Sequence, residues 1–255
     1  MKQSVRYLLD LIIVLTQKEL KVRYKNNVLG YLWSVANPLA FAFVFYIAFK
    51  TIMKIQMENF ALFLIAGLFP WQWFANSISS TPTIFLSNAS IIKKVNFPKN
   101  IIPLTIVLQD MIHFISSIPV IMLFMGIYHK PIGLIWFIGI PILLIIQFMI
   151  TYGIALAVSS INLFFRDLER LITILVTLIL YFTPIFYPET MLPAKFAPYL
   201  KLNPLAPLIV SWRNLFLKNE LDVTYLMISF GYGLLFLTLG YLIYRKLYWK
   251  FAEVL

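Results

Sequence analysis

The chain has 255 residues, of which 61% are hydrophobic and 12% charged, with a formal net charge of +11. Its mean hydropathy is +0.86. Water-soluble domains carry roughly 25% charged residues, so these charges are too few to cover a surface facing water, and a lipid bilayer is the expected solvent. Cysteine is absent and only His113 and His129 represent histidine. That excludes disulfides and thiolate metal sites and leaves little material for a metal centre, so none is expected. In a membrane protein, positive charge is read by where it lies. No nucleic-acid partner is expected.

The first segment, 1–27, is amphipathic. At 100° per residue Gln3, Arg6, Asp10, Gln17 and Lys21 share one face and Val5, Leu8, Leu9, Ile12 and Leu15 the other. It is too polar to span and fits a helix lying under the inner leaflet, supported by Arg6–Asp10 and Glu19–Arg23 at i, i+4. Lys2 and Arg6 ahead of Leu8–Leu15 resemble a signal peptide. But Asp10 interrupts the run and no small-x-small site follows, so no cleaved signal is expected. The arm is either a plain surface anchor or also the frame of a lateral entrance, with Lys21, Arg23 and Lys25 attracting lipid phosphate.

A spanning helix needs about 20 mostly apolar residues. Six segments qualify, near 32–53, 60–80, 103–128, 133–161, 169–187 and 224–244. The charge-free stretch from Pro131 to Phe165 is long for one span and short for two. One tilted helix, with a bend at Pro141, is the better reading; seven spans is the rival, and would put the termini on opposite sides. With six, both termini share a face with the loops at 81–102 and 162–168. That face holds fourteen of the 21 basic residues, which places it in the cytoplasm. The expected localisation is a bacterial cytoplasmic (inner) membrane.

On the first span Trp33, Asn37, Phe41, Phe45 and Phe49 recur every four residues and form one ridge. Trp73 opens a second aromatic group. Such residues commonly sit at the membrane interface or pack against helices. The functional alternative is an aromatic-lined path, where flat rings stack on sugar C–H faces and Asn37 serves a hydroxyl. The cytosolic loop 83–97 carries a helical patch at 84–95 with a basic tip, suited to docking a cytosolic protein or to lying on anionic lipid. The loop NLFFRDLERLI mixes signs at Arg166, Asp167, Glu169 and Arg170, which fits an ordered ion-pair cluster as well as a partner contact. The longest connection, 188–222, is external. Its prolines divide it into two short helices near 193–202 and 205–218, too short to span, and its length suggests a lid or gate.

No Gly-x-x-x-x-Gly-Lys-Ser/Thr loop occurs, so this chain is not expected to hydrolyse ATP, and no hydrolase motif is present. The one ionisable pair inside a span is Asp110 with His113. An intramembrane acid is a functional candidate, for example a proton relay. But Asp110 lies only about 10 Å from the cytosolic end of its helix at ~1.5 Å per residue, and structural pairing is the simpler reading.

Five segments then carry a resemblance: RYKNNVLGYLWSVANPL (23–39), IIKKVNFPKNIIPL (91–104), FFRDLERLI (164–172), YFTPIFYP (181–188) and NPLAPLIVSWRNLFL (203–217). In this order they resemble the permease subunits of ABC exporters for lipid-linked O-antigen, teichoic acid and capsular polysaccharide, most of all those for O-antigen. The resemblance covers nearly the whole chain. It implies an all-α integral membrane protein forming a homodimer with a path at the dimer interface, for which the aromatic pattern offers Trp33, Asn37, Phe41, Phe45, Phe49 and Trp73 as lining candidates. It implies two copies of a separate cytosolic ATPase, which binds the ATP and Mg; no cofactor belongs to this chain. Coupling would fall to Ile91, Lys93, Lys94, Phe97, Arg166 and Asp167, and an external gate to Pro204, Trp212 and Arg213. The implied substrate is a polysaccharide on undecaprenyl pyrophosphate. Rivals are a related exporter of drug, lipid or teichoic acid, and a proton-coupled transporter using Asp110.

Overall fold

The computed structural model describes residues 5–24, 32–52, 54, 57–193, 195 and 197–254, and all regular secondary structure among them is helical. Helix α1 (Val5–Tyr24) is followed by α2 (Trp33–Tyr46), which continues into a π-helical turn over Ile47–Ile52. Helix α3 spans Phe60–Ser80, α4 Ile84–Ser87 and α5 Ala89–Lys94. The long helices α6 (Ile101–Ile127) and α7 (Trp136–Asn162) come next, then α8 (Leu168–Phe182). After a 3-10 turn at Glu189–Met191 follow α9 (Ala197–Leu200), α10 (Ala206–Lys218), α11 (Val223–Leu247) and α12 (Phe251–Val254).

Four of these, α3, α6, α7 and α11, are long and apolar enough to cross a membrane. The stretch from Pro131 to Phe165 holds one helix, α7, of 27 residues with Pro141 inside it. At ~1.5 Å per residue that is about 40 Å, more than the ~30 Å hydrocarbon. The segments near 32–53 and 169–187 give shorter helices. Helix α8 has 15 residues and stops at Phe182 because Pro184 disfavours a helical residue before it. Thr183 is accordingly extended, at φ −94°, ψ 136°.

Helix α3 is the centre of the molecule. It is buried along nearly its whole length and packs against α2, α6, α7, α8 and α10. Each apolar residue it hides adds ordinary packing, since lipid tails are as apolar as leucine and small, close-fitting side chains decide helix association in membranes. The tightest pair is α7 with α11. A Cβ on Gly153 would fall 2.4 Å from the backbone of Phe236, and one on Gly240 would fall 2.1 Å from the Gly153 carbonyl oxygen. Glycine at both places lets the two backbones touch. The outer face of α11 is left exposed.

A second, smaller core closes one end. Ile84, Phe85, Ile92 and Phe97 pack there against Ile102, Ile106, Leu156, Leu163, Tyr244 and Phe251. Asn162 Nδ2 donates to the Pro82 carbonyl at 2.9 Å, and Lys18 Nζ to Asn88 Oδ1 at 2.7 Å, so α1, α4 and the ends of α6, α7 and α11 form one cap. At the other end Asn219, in left-handed conformation at the close of α10, donates to the Pro131 carbonyl and accepts from Gly133 N–H. This fastens α10 to the turn between α6 and α7.

Candidate functional site

The ridge on α2 lies at the edge of an open face. Ala42 turns inward against α3, while Phe41, Phe43 and Val44 are 57, 64 and 60% exposed. Trp33 is exposed as well, and Phe45 is half-buried with its ring 4.2 Å from that of Phe186. The side chains of Asn37 and Phe49 lie outside the described residues. Helix α8, also packed on α3, buries only Ile172 and exposes Leu171, Ile174, Leu175, Leu178, Tyr181 and Phe182. Helices α2 and α8 are therefore two apolar, aromatic-rich staves beside α3 that this single chain leaves uncovered. A π-helical turn at the end of α2 is a feature that frequently marks functional sites.

Trp73 belongs elsewhere. It is 2% exposed, and its indole N–H donates to the Val107 carbonyl at 3.1 Å. Its ring begins an internal aromatic series from Trp73 to Phe114, Trp212, Phe216 and Trp136, with neighbouring centroids 4.9–5.7 Å apart. Such spacings are favourable for aromatic pairs.

That series runs into α10, wedged between α3, α7 and α11. Trp212 is fully buried, and its Nε1 donates to Gln147 Oε1 at 2.6 Å. Gln147 Nε2 donates in turn to the Pro70 carbonyl at 2.7 Å, so one side chain ties α3, α7 and α10 together. Arg213 is 6% exposed. Its Nη2 donates to the Ile185 carbonyl at 3.0 Å, and the guanidinium lies 3.7 Å from the centre of the Phe63 ring. Burial pushes the Arg213 guanidinium down to about 9, against an upward pull from the Glu189 carboxylate, so it is charged at neutral pH. Glu189 also accepts from the Tyr225 hydroxyl. Pro204 is half-buried at the entrance to α10. Gln147 was not singled out from sequence; a lone amide in the middle of a charge-free span was the available signal.

The acid inside α6 has a partner the sequence does not reveal. Ser77 Oγ on α3 donates to Asp110 Oδ2 at 2.9 Å, and His113 Nδ1 lies 3.7 Å from Asp110 Oδ1. All three are buried. They join two packed helices, and Asp110 and His113 line a small cavity of about 20 Å³, room for about one water.

At the capped end, the patch expected at 84–95 is two helices, α4 and α5, broken at Asn88. Lys93 and Lys94 are exposed at the end of α5, Ile91 is half-buried, and Phe97 is buried in the second core. Arg166 and Asp167 are exposed. They lie at this same end, since Leu163 shares the core that holds Phe97. Lys21 is exposed near the end of α1; Lys25 and the Arg23 side chain lie outside the described residues. Among the described residues no group of three or more His, Cys, Asp or Glu is placed to hold a metal.

Comparison with known proteins places these features in a family. The model described as "ABC-2 type transporter" matches residues 10–217. The chain is 47% identical over its full length, and 98% of the relative, to the O-antigen export system permease protein RfbA of Klebsiella pneumoniae. It is 31% identical over 83% of its length to a permease of the same name from Myxococcus xanthus, covering 82% of that protein. Over 89% of its length it is 21% identical to the polysialic acid transport protein KpsM of Escherichia coli, covering 90% of it. All-helical, apolar and matched from end to end, the chain belongs to the ABC-2 type transporter family as a membrane-embedded permease.

Proposed function

We propose that this chain is the membrane subunit of an ATP-driven exporter that moves a polysaccharide of the O-antigen type, carried on undecaprenyl pyrophosphate, across the cytoplasmic membrane. The observation that carries this reading is the end-to-end 47% identity to a relative named as an O-antigen export permease. In this reading two copies of the chain pair and two copies of a cytosolic ATPase supply ATP binding and hydrolysis. The termini and the cap holding α4 and α5 face the cytoplasm, with six spans per chain, α2 and α8 counting as the first and fifth.

The geometry suits each part. Lys93, Lys94, Arg166 and Asp167 stand exposed at one end, where an ATPase can grip them; Ile91 and Phe97 seat α5 on the second core. Helices α2 and α8 offer the uncovered apolar face that a second copy requires, and a two-fold axis there gives a path lined by both chains. Trp33, Phe41 and Phe45 then border the path, and Asn37 and Phe49 are further candidates by their four-residue spacing in the sequence. Lys21, exposed near the end of α1, is the described member of the basic group that meets a pyrophosphate head group from the inner leaflet, and Arg23 and Lys25 follow it in the sequence. Pro204, Trp212 and Arg213 hold the external region 188–222 against α3, and the segment ahead of α10 forms the gate. Push on α4 and α5 reorients α2 and α8 and widens the path.

The test is purification and reconstitution. The chain should co-purify with a phosphate-loop ATPase, and vesicles holding both should export lipid-linked glycan only with ATP. Export by the purified chain alone overturns the reading, as does a complex that hydrolyses ATP in response to a drug or simple lipid but not to lipid-linked glycan.

A further inference from the structure

The capped end carries a groove of about 610 Å³ that the transport reading does not use. It lies between the turn at 96–100 and the C-terminal end of α11, and its size falls within the range of about 300–1,000 Å³ typical of ligand clefts. Its walls combine aromatic rings with cations: Tyr244, Tyr248 and Trp249 beside Arg245. Lys99 adds a second positive charge, its Nζ 5.4 Å from the centre of the Tyr248 ring. Arg245 is exposed, and no acidic side chain lines the groove among the described residues.

The polar floor is organised. Asn100 is held from two sides: its backbone N–H donates to the Tyr244 hydroxyl at 3.2 Å, and its carbonyl accepts from the Tyr152 hydroxyl at 3.2 Å. A tyrosine hydroxyl both accepts and donates, so Tyr244 keeps its own proton for an acceptor inside the groove. A second observation lies above. Met227, Phe230, Leu234 and Tyr241 are exposed. At helical spacing they make one stripe along α11 that ends at Arg245. An apolar track leading into a cationic, hydroxyl-lined pocket at the end of a spanning helix has the shape of a lipid: chain above, phosphate below.

We propose that this groove binds the phosphate of an anionic membrane glycerophospholipid, with Arg245 and Lys99 as the charge partners and an acyl chain along the Met227–Tyr241 stripe. Basic pockets at the cytoplasmic ends of spanning helices favour such head groups. The bound lipid ties the exit of the α4–α5 segment to α11.

The proposal is tested on the full-length chain in nanodiscs of phosphatidylcholine, with or without added phosphatidylglycerol, followed by native mass spectrometry of retained lipid. Phosphatidylglycerol should be retained in preference to phosphatidylcholine. Arg245→Gln and Lys99→Gln should each reduce that preference about fivefold, as expected for one cation at an anionic surface. Arg245→Lys and Lys99→Arg, which keep the charge, should preserve it and control for folding. Added inorganic phosphate should not displace the lipid. Equal preference in the wild type and the double glutamine variant overturns the proposal. Displacement by inorganic phosphate overturns it too, by assigning the groove to a soluble anion. Displacement of phosphatidylglycerol by undecaprenyl pyrophosphate at equal concentration would assign the groove to the exporter's own carrier instead.

Discussion

Arg213 shows how one residue can hold a region in place. It is buried, its hydrogen bond ends on the Ile185 carbonyl, and its plane rests on Phe63. Replacing it with Leu leaves that carbonyl unpaired, a loss of about 2 kcal/mol for a charged hydrogen bond. The expected outcome is a lower melting temperature in detergent and faster proteolysis in 183–203. Gly67→Ala should act on the same contact, because its Cβ would lie 2.6 Å from Arg213 Nη2. Asp110 separates two readings. Asn keeps an acceptor for Ser77, so Asp110→Asn should fold and export normally; Asp110→Leu, which removes the acceptor of the buried Ser77 hydroxyl, should destabilise by about 1–3 kcal/mol. Loss of export in well-folded Asp110→Asn would favour a proton-coupled role. The Asp110–His113 pair was legible because it is local in sequence. Ser77 and Gln147 were not, because their partners come from other helices and no periodicity reports a contact between helices.

Elements were legible wherever apolar length and proline punctuation agreed. Helices α3, α6, α7 and α11 lie where long apolar runs occur. The stop of α8 at Phe182 was available from Pro184 but was outweighed by the apolar residues beyond it. The depth of α10 was not readable: its pattern around Arg213 fits an interfacial helix as well as a wedge, and only the fold shows it enclosed. The α7–α11 contact was equally hidden, since Gly153 and Gly240 stand on different helices. Gly153→Val should be severe, pushing side-chain atoms into the Phe236 backbone and costing about 1–3 kcal/mol or more. Reduced yield of monodisperse protein on gel filtration checks it. On α5, Lys93→Glu with Lys94→Glu should leave the fold intact, both being exposed, and should abolish co-purification with the ATPase. Retained binding would move the coupling surface to Arg166 and Asp167.

At the scale of the molecule, a packed group of α3, α6, α7, α10 and α11 carries α2 and α8 against α3, each with an exposed apolar face. The absence of cysteine makes their surroundings measurable. Phe41→Cys and Leu178→Cys should each give a covalent pair of chains on oxidation in membranes, while Leu242→Cys on the outer face of α11 should not. The reverse pattern would move the interface to α11. The charges set an expectation of which end faces the cytoplasm, but no pattern in the sequence tells which faces stay open, because lipid and a second copy of the chain want the same apolar residues. The sparse burial of α8 has a consequence in the life of the protein. With Ile172 its one fully buried residue, and Leu168, Val176, Ile179 and Leu180 only partly buried against the core, a newly made chain gains little by lodging this helix. Its exposed face is covered only when a mate arrives, and orphan chains should be the ones that membrane proteases clear first. Assembly then sets abundance, and a cell short of one subunit should hold correspondingly little of the other.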